Sequence, residues 1–118
     1  MILFKAYHVP LILADVKTQT RRLWPHGCRA KAGSVHWGQT SFRPDSRFAR
    51  LHIKRVWQEC LGEISHADSR AEGYPNANEY LKAFHEINRV SLIAEKRVAV
   101  ENTIVWVVSF ARAQEGTR

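Results

Sequence analysis

Apolar and polar residues alternate most clearly between Phe48 and Trp57. Ala49, Leu51, Ile53 and Trp57 share one parity and Arg50, His52 and Lys54 the other, the period-two pattern of a half-buried strand with a basic outer face. The unbroken apolar run Ile104 to Val108 predicts a strand covered on both faces, which suits a central position in a sheet. Tyr80, Leu81, Phe84 and Ile87 recur at helical spacing behind Asn76-x-x-Glu79, and Ser65-x-x-Asp68 has the spacing of a capping box, so helices are expected over 65–72 and 77–89. A short helix is expected over His8 to Ala14, where Val9, Leu11, Ile12 and Leu13 surround Pro10 in a first turn. Met1 to Lys5, Thr18 to Trp24 and Ser34 to Thr40 read as further strands, separated by a Pro25 to Gly33 loop and a Phe42 to Arg47 turn. Val90 to Asn102 carries no readable pattern, and Gln114 to Arg118 reads as a loose tail.

The chain has 118 residues, enough for one compact core, so a single domain spanning 1–118 is expected. Nothing approaches a run of about 18 apolar residues, and Lys5, His8 and Pro10 interrupt the amino-terminal segment. These features predict a soluble cytoplasmic protein with no membrane contact. Cys28 and Cys60 lie far apart and in no CxxC pair, so reduced thiols are expected. His26-x-Cys28 with His36 nearby matches no ligand spacing, and no metal or cofactor is expected.

Charge changes this picture. The net formal charge is +7, and it is unevenly placed: from Lys17 to Arg55 ten Lys or Arg stand against the single Asp45, a balance of +9 that leaves −2 for the rest. Clustered cations gain affinity for a polyanion by displacing counterions, so RNA is a candidate partner of the 17–55 segment.

The densest chemistry lies in Lys17-Thr18-Gln19-Thr20-Arg21-Arg22-Leu23-Trp24. It resembles the K-T-x-T-R-R signature of ASCH domains, members of the PUA-like superfamily. Ala71-Glu72-Gly73-Tyr74, ahead of the second helix, is similar to the family's central A-E-G-[FY] turn, and Val105-Trp106-Val107-Val108-Ser109-Phe110 to its closing strand. The resemblance implies an α+β fold: a mixed PUA-like β-barrel of about five to six strands with two to three flanking helices. It also implies chemistry, because a small bacterial branch of the family removes acyl groups from N4-acylcytidines with a Lys, a Thr and a Glu. Motif matching puts these on Lys17, Thr20 and Glu72 as catalytic residues. Arg21, Arg22, Trp24 and Tyr74 are then the expected contacts to a small nucleoside substrate.

Two schemes are open. A neutral Lys17 could activate Thr20 as nucleophile while Glu72 supplies and takes protons, or a protonated Lys17 could stabilise the oxyanion while Glu72 activates water. On an ideal strand Lys17 and Thr20 would point to opposite faces, so Lys17 is expected in the connection before the strand. The resemblance leaves two other activities open, an RNA-binding module and an ASCH-type ribonuclease. The chain departs from the smallest family members in its longer basic loop between Trp24 and Phe48.

Overall fold

A computed structural model describes residues 1–89 and 103–113. Five strands form one mixed sheet: β1 (Ile2–Leu3), β2 (Gln19–Arg22), β3 (Val35–Gln39), β4 (Arg47–Cys60) and β5 (Ile104–Arg112), in the order β1-β3-β4-β5-β2. β1 runs parallel to β3, and the other pairings are antiparallel. The sheet curls into a half-barrel. Helices α1 (Val9–Leu13), α2 (His66–Ala71) and α3 (Ala77–Ile87) complete the α+β architecture. None is long and apolar enough to cross a membrane among the described residues.

β5 is covered on both faces, as its unbroken apolar run predicts. Val108 and Phe110 point into the curl with Ile2, Phe4, Ile12, Leu51 and Ile53, while Val105 and Val107 face α3 with Leu61, Ile64, Tyr80 and Phe84. β4 is longer than expected and not a uniform alternation. Its register against β5 slips between Ile53 and Arg55, so Trp57 pairs with Val107 and packs in the helix-side cluster, on the opposite face from Leu51 and Ile53. A bulge of one residue reverses every later side chain, which simple parity does not anticipate.

Both expected caps form. The Ser65 hydroxyl accepts from Asp68 N–H at 3.0 Å and the Asn76 side chain from Glu79 N–H at 2.9 Å, opening α2 and α3. The patternless stretch 90–102 and the tail 114–118 lie outside the described residues.

The two edge strands are β1 and β2, yet one side chain joins them. Arg22 on β2 reaches across the open side of the curl and donates Nη2–H to the Leu3 carbonyl of β1 at 2.6 Å, with its guanidinium 5.0 Å from the Phe4 ring centroid. The half-barrel is therefore bridged at its seam by a guanidinium, and the site lies against that bridge.

Candidate functional site

Two helix ends build the site. α1 closes with Asp15 N–H donating to Ile12 C=O and Val16 N–H to Leu11 C=O, and α2 with Gly73 N–H to Arg70 C=O and Tyr74 N–H to Ser69 C=O. This paired bonding is the Schellman termination, which places one residue in the left-handed region. Asp15 (φ 60°) takes that place after α1 and Gly73 (φ 99°) after α2. The two turns pack together: a Cβ on Gly73 would lie 2.9 Å from Leu11 Cδ1 and 3.9 Å from Lys17 Cβ, and Thr18 N–H donates to Ala71 C=O at 2.7 Å. Lys17 thus leaves the first turn beside Glu72, which forms the second. It lies before β2, where parity required it.

The Lys17 ammonium is almost wholly buried, 2% exposed, and spends all three protons. It donates to Glu72 Oε1 at 2.8 Å, to the Glu72 carbonyl at 3.0 Å and to the Gln19 carbonyl at 2.9 Å. The second carboxylate oxygen of Glu72, itself 3% exposed, accepts from Arg21 Nη1 at 2.9 Å. Arg21 is held in turn by Glu59 at 2.9 Å, Asp68 at 3.3 Å and the Gln19 side chain at 2.9 Å. Burial pushes the Lys17 ammonium below its ordinary pKa, and Glu72 works in the opposite direction. For Arg21, burial is more than offset by Glu59 and Glu72, and its pKa rises.

Thr20 and Arg22 occupy the opposite face of β2, since their partners on β5 are Val108 and Trp106 whereas Arg21 pairs with Val107. The Thr20 hydroxyl accepts from Arg22 Nε at 2.9 Å, leaving its own proton to donate. Lys17, Thr20, Arg21, Arg22 and Glu72 line one cavity of about 300 Å³, with Phe4, His8, Tyr74, Tyr80 and Phe84 among its walls. That volume is at the small end of ligand pockets and suits a single planar heterocycle with its substituents. His8 is buried against Tyr74, its Nε2 3.0 Å from the phenol oxygen. Burial, with the charges of Lys17 and Arg22, lowers the His8 pKa to about 4, so the imidazole is neutral at physiological pH. Burial and the neighbouring Tyr7 raise the Tyr74 phenol, which stays protonated.

Six of the seven residues singled out in the sequence therefore line one cavity. Trp24 does not: it packs against the apolar cluster inside the curl. Sequence reasoning did not find His8, Tyr80 and Phe84 as cavity walls. Tyr80 and Phe84 carried only a helical core signal, and nothing near His8 marked it out from an ordinary histidine. Among the described residues no group of three His, Cys, Asp or Glu is placed to hold a metal ion.

No family model matches the chain, and no curated protein does. Solved structures are similar. An ASCH domain from Lactobacillus crispatus JV V101 superimposes with a TM-score of 0.74 over 90% of this chain and 70% of that one, at 12% identity. A protein of the DUF984 family from Enterococcus faecalis V583 superimposes with a TM-score of 0.74 over 91% of this chain and 67% of that one, at 15% identity. The architecture is thus that of a PUA-like α+β domain. More narrowly, the chain has the ASCH-domain fold.

Proposed function

We propose that the cavity is the active site of an amidohydrolase that removes the acyl group from an N4-acylated cytidine or cytosine. The observation that carries this reading is the Lys17–Glu72 pair, 2.8 Å apart and 2% and 3% exposed, at the wall of a heterocycle-sized cavity. Removing two charges from water costs several kcal/mol per ion before their attraction offsets it, so such a pair beside a cavity points to chemistry more than to stability.

The hydrogen bonding favours the scheme with a protonated lysine. All three Lys17 protons are engaged, so no lone pair is available to take a proton from Thr20. Glu72 keeps a second lone pair on each carboxylate oxygen and can accept a proton from water as that water adds to the acyl carbon. The Thr20 hydroxyl, polarised by Arg22, donates to the developing oxyanion, and the Lys17 charge stabilises it. Collapse breaks the C–N bond while Glu72 returns its proton to the N4 nitrogen. The products are a carboxylic acid and the free amine of cytidine. Phe4, Tyr74, Tyr80 and Phe84 supply the aromatic walls for the ring.

A second reading, an RNA-binding module, is favoured by one different observation. On the exposed side of β3 and β4 the Trp37 ring has Arg47 at 5.0 Å and Arg50 at 5.7 Å, with Lys54 exposed further along the strand. Such basic and aromatic groups suit single-stranded nucleic acid.

A substrate panel separates the two. Cytidine release from N4-acetylcytidine, with none of the corresponding amine from N4-methylcytidine and no deacetylation of acetyl-lysine, is expected of the amidohydrolase. Absence of release, combined with RNA binding that weakens steeply with salt, would transfer the assignment to the outer basic face.

A further inference from the structure

The cavity is more cationic than amide hydrolysis of a neutral nucleoside requires. Its lining includes Lys5, Lys17, Arg21 and Arg22 against the one carboxylate of Glu72. Arg21 is also held by Glu59 and Asp68, and Lys17 by Glu72 and two carbonyls. Arg22 is different. Its Nε donates to a neutral hydroxyl and its Nη2 to a neutral carbonyl, and among the described residues Nη1 has no acceptor and the guanidinium no carboxylate partner.

Main-chain bonds bring two more groups to the same end of the cavity. Arg22 Nη2 holds the Leu3 carbonyl, two residues before Lys5, and Phe4 N–H donates to the Gln39 carbonyl at 2.8 Å, which sets Thr40 beside the end of β1. Lys5 and Thr40 both line the cavity and both are exposed, so they form its rim, whereas Lys17 and Glu72 are buried. Among the described residues Lys5 has no carboxylate partner. A guanidinium edge, an ammonium and a hydroxyl, none of them in direct contact with a carboxylate among the described residues, suit a phosphate oxygen.

We propose that this rim is a phosphate subsite and that the ligand of the cavity is a cytidine mononucleotide rather than the free nucleoside. The inference rests on the reading of the cavity as a site for a cytosine-type base and adds the phosphate to it. In this arrangement the base lies against Tyr74, Tyr80 and Phe84, and the phosphate lies between Lys5, Thr40 and Arg22 Nη1. The cavity of about 300 Å³ holds the base, and the phosphate lies at its exposed rim.

Binding by the intact wild-type chain tests this without relying on turnover, because cytidine and cytidine 5′-monophosphate have no acyl group to lose. Titration calorimetry at low salt compares cytidine, cytidine 5′-monophosphate, inorganic phosphate and a short cytidine-containing oligonucleotide, with Lys5→Glu and Thr40→Val in parallel. The monophosphate is expected to bind about tenfold or more tighter than cytidine, as one charge-assisted contact supplies. Lys5→Glu is expected to bring that ratio close to one, and inorganic phosphate to compete with the monophosphate. Equal affinity for cytidine and its monophosphate, or a ratio that Lys5→Glu leaves unchanged, would overturn the subsite. Tighter binding of the oligonucleotide than of the monophosphate would overturn the mononucleotide assignment. A protein that shows the phosphate preference but releases no acyl group would retain the subsite and lose the amidohydrolase reading.

Discussion

Replacing Glu72 by glutamine keeps the shape of the side chain and removes its charge. Glu72 now holds Lys17 through Oε1 and Arg21 through Oε2. A glutamine can accept from one of these, but its amide N–H then meets a donor on the other. Arg21 retains Glu59 and Asp68, so the unmatched charge falls on Lys17, which is 2% exposed. Breaking a buried pair costs about 3–5 kcal/mol, and with Arg21 still compensated the lower end, about 3 kcal/mol, is expected. For 118 residues that corresponds to a fall in Tm of roughly 12 °C. Lys17→Met is expected to cost less, about 2 kcal/mol, because the Glu72 charge left behind is still paired with Arg21. In the double variant the costs should fall short of additivity by about 1.5 kcal/mol or more, the signature of direct contact. The pH dependence has a definite sign. Burial lowers the folded pKa of Lys17, and without the Glu72 charge only two backbone carbonyls remain to oppose that, so below the unfolded value of about 10.4 the unfolded chain binds more protons than the folded one. The deficit of Glu72→Gln is therefore largest near neutrality and narrows as pH rises through the variant's lowered pKa. Urea unfolding of the four proteins across pH 7 to about 9.5 measures all of this. A Glu72→Gln variant within about 0.5 kcal/mol of wild type at pH 7, or additive single costs, would refute the buried-pair argument.

Other perturbations have equally definite outcomes. His8, with a pKa of about 4 in the fold against 6.5 for a free histidine, should cost stability as pH falls from 6.5 towards 4, because the unfolded chain protonates first. With solvent in the cavity screening the imidazole, the loss should be about 1–2 kcal/mol by urea unfolding, and His8→Gln should remove it. Gly73→Ala forces a Cβ into a left-handed position 2.9 Å from Leu11 Cδ1; the leucine can yield, but the backbone strain remains, so about 1–2 kcal/mol of stability and part of the activity should be lost together. Arg47→Ala with Arg50→Ala strips the cations from Trp37 without touching a residue that lines the cavity, and should leave cytidine release within about twofold while weakening any salt-sensitive RNA binding.

The elements legible in the sequence were those whose signals are local. The alternation around Leu51 and Ile53, the apolar run of β5, and the caps at Ser65 and Asn76 each rest on a few neighbouring residues, and each appears in the structure where expected. Trp57 was misplaced because the slip at Ile53/Arg55 leaves no mark in the apolar pattern. The motif around Lys17 could be recognised, but its geometry could not. The approach of Lys17 to Glu72, 55 residues apart, depends on two Schellman turns packing against each other, and one of those turns uses Asp15, a residue with no glycine-like signal. Arg22 as the bridge between edge strands and His8 as a cavity wall both depend on the curl of the sheet, which brings β1 to β2 and is set by contacts distant in sequence.

The most direct measurement of the central claim is the initial rate of cytidine release from N4-acetylcytidine by the wild type and by Lys17→Met, Thr20→Val and Glu72→Gln, each first shown to be folded. The account expects measurable wild-type release, a loss of about a hundredfold or more in the Lys17 and Glu72 variants, and a smaller but clear loss in Thr20→Val. Release that survives in folded Lys17→Met and Glu72→Gln protein, or no release by the wild type above the uncatalysed rate, would contradict it.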